Sequence, residues 1–131
     1  MARLVHSMIR VLDEARSLAF YETAFGLKIA DRLDFKDFTL VYLKNETGDF
    51  ELELTINKDR TEPYTHGDGY GHLAVVVDDV AAEHARLEAA GLAPRKLVDF
   101  RNGDTPVAHF FFIADPDGYQ IEVIGKGGRF R

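Results

Sequence analysis

The sequence predicts an α+β fold in which one unit is written twice, as two tandem βαβββ modules. Three observations carry this reading. The stretch "HSMIRVLD", from His6 to Asp13, recurs 66 positions later as "HLAVVVDD", from His72 to Asp79. Each of those acids then opens a helical stretch ending at a glycine, "DEARSLAFYETAFG" at Gly26 and "DVAAEHARLEAAG" at Gly91. Three strand-like runs follow each helix, in the same order. Position, element order and residue type agree together, so the chain reads as a single domain with an internal duplication. Module one covers about 1–57, a polar linker about 58–69, and module two about 70–125.

The elements follow in order. "HSMIR" and "HLAVVV" are short runs rich in β-branched and apolar residues, as strands are. Asp13 and Asp79 suit the N-cap or first helical turn, where a carboxylate can accept from exposed backbone N–H groups. Leu18, Tyr21, Ala24 and Phe25 keep helical spacing, whereas Val80, Ala82, Ala85, Leu87 and Ala90 keep it only roughly. Gly26 and Gly91 suit the left-handed position just past a helix. Module one then offers "KIADRLDF", "FTLVYLKN" and "FELELTIN". Module two offers "APRKLVDF", "PVAHFFFIA" and "YQIEVIG", the last entered through the turn "DPDG". The glycines of "GDGYG" permit a turn before His72, since the lysine and spacing of a phosphate loop are missing.

Composition narrows the function. A net charge of −6 disfavours a nucleic-acid reader with a basic footprint. There are no cysteines, which removes disulfides, thiolate metal ligands and a cysteine nucleophile. No apolar run approaches the roughly 20 residues of a membrane span, and "MARLVHSMIR" has no apolar signal region. A soluble cytoplasmic protein is expected.

A carboxylate in the middle of the last strand, Glu122, stands out, because an unpaired buried carboxylate is costly. It is either solvated or bound to something. Strand parity groups it with others. His6, Met8 and Arg10 point one way in the first strand. Glu51, Glu53, Thr55 and Asn57 share a face in "ELELTIN", and Gln120 and Glu122 share one in "YQIEV". The repeat matches His6 with His72, and Glu53 with Glu122. Two imidazoles and two carboxylates suit a borderline divalent cation such as zinc, nickel or cobalt; polar faces or satisfied histidines are the plainer reading.

"LVHSMIRVLD", "FYETAFGLK", "ELELTIN", "YGHLAVVVDD" and "DPDGYQIEVI" together resemble glyoxalase I, the lactoylglutathione lyases of the vicinal oxygen chelate superfamily. The resemblance covers nearly the whole chain. It implies a glyoxalase/bleomycin resistance-like fold whose modules form half-barrels. It further implies a homodimer with metal sites at the subunit interface. His6 and Glu53 would come from one chain, and His72 and Glu122 from the other; the residues alone leave open whether modules pair within or across chains. The compact length resembles bacterial-type enzymes that prefer nickel or cobalt to zinc. By the same resemblance, Arg10 and Asn57 hold the glutamyl end of glutathione, the co-substrate, and Lys96 or its neighbour Arg95 meets a glutathione carboxylate. The implied reaction isomerises the methylglyoxal–glutathione hemithioacetal to S-lactoylglutathione through a metal-bound enediolate. In that reaction Glu122 would be the base and Glu53 the second catalytic carboxylate.

There are departures. Lys58 stands where an aromatic commonly follows "ELTxN", there is no tryptophan, and "VDFRNGDTPVAHFFFIA" is long. These differences bear on the substrate more than on the metal, so a different thiol or aldehyde is one alternative. An epimerase usually carries Gln where Glu53 stands, and a dioxygenase usually uses two His and one carboxylate. A non-enzymatic small-molecule-binding member typically lacks the ligands. Of the other histidines, His66 reads as a solvated linker residue, His84 as surface, and His109 as cavity-lining or half-buried. "FFF" at 110–112 reads as core.

Overall fold

A computed structural model describes residues 1–131. The chain divides into two compact units, Met1–Thr65 and His66–Arg131. The first contains β1 (His6–Arg10), α1 (Glu14–Phe25), β2 (Lys28–Asp34), β3 (Phe38–Lys44) and β4 (Glu51–Asn57). Its sheet runs β1-β4-β3-β2, with β1 parallel to β4 and the other pairs antiparallel. The second contains β5 (Leu73–Val77), α2 (Val80–Ala89), β6 (Val98–Asn102), β7 (Thr105–Ala114) and β8 (Gln120–Gly125). Its sheet runs β5-β8-β7-β6 with the same pattern of directions. Two βαβββ modules of one topology are what the duplicated sequence predicts.

The helix ends follow their local chemistry. The Asp13 side chain accepts from the Arg16 N–H, and that of Asp79 from the Ala82 N–H, both at 3.0 Å. Each satisfies a backbone donor that has no partner inside its helix. Gly26 ends α1 at φ +65°, its N–H donating to the Glu22 carbonyl and the following Leu27 N–H to the Tyr21 carbonyl. That left-handed turn is open to glycine at no steric cost.

Each unit buries one sheet face. In the first, Ile9, Val41, Leu43, Leu52 and Leu54 alternate inward while α1 buries Ser17, Phe20, Tyr21 and Ala24. The helical stripe therefore includes Ser17 and Phe20 and leaves Leu18 and Phe25 half-buried. In the second, Leu87 of α2 and Phe111, Ile113, Ile121 and Val123 are buried. Burying such side chains contributes roughly 1.5–3 kcal/mol each.

Two expectations need correction. "APRKLVDF" is not a strand along its length: pairing begins only at Val98, and Ala93 takes φ +52°. Pro94 cannot donate to a ladder, and Arg95 ties the segment down, its N–H donating to the Phe112 carbonyl at 2.8 Å and its carbonyl meeting His84 Nε2 at 2.8 Å. Nor is "FFF" all core. Phe111 is fully buried, but Phe110 and Phe112 lie half-buried on the opposite face of β7.

Candidate functional site

The opposite sheet face of the first unit carries the polar set. The β1–β4 register places Met8 beside Glu53 and Arg10 beside Thr55, and the β3–β4 register places Tyr42 beside Glu53. His6 pairs with Glu51 and reaches diagonally to the next residue on that face. Its Nε2 lies 3.1 Å from Glu53 Oε1. The Glu53 side chain is only 10% exposed, against 40% for His6. A carboxylate so enclosed needs partners. It has the imidazole, and Tyr42 faces it across the β3–β4 register. The Tyr42 phenol is pushed above its ordinary value, chiefly by Glu53 as a hydrogen-bond acceptor, then by burial and by the negative charge of Glu53.

The second unit repeats the arrangement. His72, one residue before β5, places Nε2 3.4 Å from Glu122 Oε1. Phe112 stands opposite Glu122 in the β7–β8 register. Glu122 sits mid-strand on the face opposite the buried Ile121 and Val123. Two His–Glu pairs therefore form, one in each unit. No three His, Asp or Glu side chains gather around one point of the chain.

Each pair offers an imidazole nitrogen and a carboxylate oxygen, donors suited to zinc, nickel or cobalt. One pair alone supplies two ligands, fewer than the three or four protein ligands that zinc sites use. The donor chemistry fits a divalent metal when both pairs contribute.

The remaining site candidates lie as follows. Arg10 ends β1, exposed, on the face of His6. Asn57 ends β4, and its Nδ2 donates to the Tyr64 hydroxyl at 3.0 Å. The Tyr64 ring is itself covered by the Arg60 guanidinium, 4.3 Å from its centroid. Lys96 is exposed in the segment before β6. Lys58, where an aromatic was expected, acts as a clamp instead. Its ammonium lies 2.9 Å from Asp34 and also reaches the Phe35 carbonyl. Together with the Thr39 hydroxyl, this holds the Asp34 carboxyl below its usual range.

Two of the other three histidines differ from expectation. His66 is not a solvated linker residue: it stacks on Tyr119 at 4.0 Å and 11°, and its Nε2 is buried without a partner. The aromatic cluster with Tyr70 and Tyr119 offers it a flat apolar surface. His84 is half-buried rather than surface, edge-on to Phe111 with Nε2 2.8 Å from the Arg95 carbonyl oxygen. His109, read as cavity-lining or half-buried, is exposed in the middle of β7, where it pairs with Asp99 at 3.0 Å and lines an open pocket of about 550 Å³ with Asp79, Val80 and Gly125. Tyr42 escaped sequence reading because an aromatic in an apolar strand looks like core. The signal that could have found it is its register opposite Glu53.

A family model described as the glyoxalase/bleomycin resistance protein/dioxygenase superfamily matches residues 3–123. The chain belongs to that superfamily. Within it, a lactoylglutathione lyase from Neisseria meningitidis serogroup A is 41% identical over 130 residues, covering 95% of this chain and 91% of its own. Glyoxalase I of Leishmania major, described as trypanothione-dependent, superposes with a TM-score of 0.76 at 33% identity, covering 95% of this chain and 87% of that one. Glyoxalase I of Zea mays gives 0.83 at 30% identity, covering 96% of this chain but 45% of the maize chain. The superfamily's glyoxalase I members thus share the fold of this chain over nearly its whole length.

Proposed function

We infer that this chain is a lactoylglutathione lyase of the glyoxalase I type. It isomerises the hemithioacetal of methylglyoxal and glutathione to S-lactoylglutathione. The observation that carries this is the 41% identity to a named lactoylglutathione lyase across 95% of the chain. The two matched His–Glu pairs supply a chemistry for it.

His6, Glu53, His72 and Glu122 would hold one divalent metal, with nickel or cobalt preferred to zinc. When bound, the metal supplies Lewis-acid polarisation of two neighbouring substrate oxygens and offsets the negative charge developing there. Glu122 takes the proton from the carbon bonded to sulfur. A carboxylate returns a proton to the adjacent former carbonyl carbon, with Glu53 as the second carboxylate. Atoms balance without an external oxidant, since one carbon loses the hydrogen that its neighbour gains. Arg10 can grip a carboxylate of the glutamyl end in bidentate fashion. Asn57 would share that end, and Lys96 would meet a second glutathione carboxylate.

Each unit carries two of the four ligands, and the likeness to glyoxalase I pairs module one of one chain with module two of another, as a homodimer. Dependence on glutathione, a thiol of the reducing cytosol, supports a cytoplasmic location. A different thiol is the second reading. It is favoured by Lys58 beside Asn57, engaged with Asp34 where an aromatic was expected.

Glu122→Gln tests the assignment, because the amide keeps the shape and loses the base. Turnover should fall by about 10²–10⁴-fold, the contribution of a positioned general base, with the circular dichroism spectrum unchanged. Near-normal turnover in that variant would remove Glu122 from the mechanism.

A further inference from the structure

The chain leaves β4 and turns back to touch its last residue. Asn57 closes the strand on the same side as Glu53 and Thr55. Arg10 stands beside Thr55 in the β1–β4 register, so Arg10 and Asn57 are diagonal neighbours at one end of the sheet. Seven residues after Asn57, Tyr64 returns to it, and the amide Nδ2 donates to the Tyr64 hydroxyl at 3.0 Å. Arg60 holds the returning segment in place. Its backbone N–H donates to the Asn57 carbonyl at 3.1 Å. Its Nε and Nη2 donate to the Glu62 and Pro63 carbonyls at 2.7 and 3.0 Å, and its guanidinium covers the Tyr64 ring at 4.3 Å. The Arg60 cation is thus engaged within its own loop, and the tyrosine is set against Asn57 by contacts internal to the protein.

A side-chain amide has two unlike ends, an NH₂ that donates and an oxygen that accepts. With the NH₂ drawn to Tyr64, the oxygen lies on the other edge of the amide as an acceptor. An acceptor beside a guanidinium suits a group that carries both charges. The γ-linked glutamyl end of glutathione keeps a free α-carboxylate and a free α-ammonium. A guanidinium matches the carboxylate, while an ammonium has only donors and needs an oxygen. We propose that Tyr64 is a positioning residue that turns the Asn57 amide oxygen toward the α-ammonium, so that this end of the site selects thiols with a free amine. The assignment rests on the reading above, in which Arg10 and Asn57 receive the glutamyl end. Without the hydroxyl, the amide can rotate about its last bond and present its NH₂ to the ammonium, which accepts nothing.

The test uses the full chain and two ligands, S-hexylglutathione and its deamino counterpart, in which glutaryl replaces glutamyl. Binding is followed by calorimetry, and steady-state kinetics are measured on the glutathione hemithioacetal. The parent should bind S-hexylglutathione about 10–100-fold more tightly than the deamino ligand, the range for a hydrogen bond to a charged group. Tyr64→Phe should bind S-hexylglutathione about 5–10-fold more weakly than the parent does, and the deamino ligand equally well. Its KM should rise by a similar factor with kcat nearly unchanged, as for lost uniform binding. A merely structural role for Tyr64 would weaken both ligands alike. Equal loss for the two ligands, parent-like affinity in Tyr64→Phe, or a parent that does not distinguish the ligands overturns the proposal. If Tyr64→Phe fails to fold, Arg60→Met, which uncovers the ring, decides by the same comparison. A parent that neither binds S-hexylglutathione nor turns over the hemithioacetal overturns the lyase reading and this proposal together; an active parent whose variants show no amine-selective loss overturns only this proposal.

Discussion

Asp115→Ala should destabilise the protein by about 3 kcal/mol, and the structure shows where that figure comes from. Asp115 is 5% exposed at the turn that delivers the chain into β8. One of its carboxylate oxygens accepts two backbone N–H groups, from Asp117 and Tyr119, each at 2.9 Å. Truncation leaves both without that acceptor. An unsatisfied buried donor costs about 1–3 kcal/mol. Tyr119, at 7% exposure, sits near the upper part of that range, while the Asp117 bond is only part-buried and lies lower. Asp115→Asn keeps an acceptor in place and loses only the charge, so it should cost about 1 kcal/mol. With the unfolding entropy typical of a chain this long, 1 kcal/mol corresponds to about 3–4 °C. Tm should therefore fall by about 10 °C in Asp115→Ala and about 4 °C in Asp115→Asn. Urea denaturation followed by far-ultraviolet circular dichroism measures both variants. An alanine variant within 1 kcal/mol of the parent, or one equal to the asparagine variant, would refute the hydrogen-bond account of this turn.

Two further outcomes are expected. Arg10→Ala should raise KM for the hemithioacetal by about 10–100-fold with kcat nearly unchanged, the signature of lost binding to a charged group; steady-state kinetics would show it, and a kcat effect alone would contradict it. The Asp34 carboxyl is held below its usual 3.8 by Lys58 and Thr39. A depressed folded-state pKa stabilises above the unfolded value and loses that contribution as pH falls through the folded one. The parent should therefore lose more urea resistance below about pH 4 than Asp34→Asn does, and identical pH profiles would contradict the clamp.

The repeat made the fold legible, because a motif recurring with its helix cap and closing strands restricts topology more than any single propensity does. The faces of β1, β4 and β8 were legible for a related reason. Strand parity is strict, so His6 fell with Met8 and Arg10, and Glu53 with Thr55 and Asn57, before the register that sets the two strands side by side was known. The remainder depended on contacts that are distant in sequence. Pro94 delayed β6, but only the ladder shows that pairing starts at Val98. His66 looked like a linker residue because Tyr119, on which it stacks, is far along the chain. Tyr42 became a neighbour of Glu53 only through the β3–β4 register.

The most direct test of a metal-dependent lyase built from two His–Glu pairs is metal removal and return. The purified protein is stripped with chelator, then nickel, cobalt or zinc is added with methylglyoxal and glutathione, and thioester formation is followed by ultraviolet absorbance. The account predicts no thioester from the stripped protein and full recovery with a divalent metal, strongest with nickel or cobalt. Thioester formed at the same rate with and without metal, or a protein that binds none of the three ions, would contradict it.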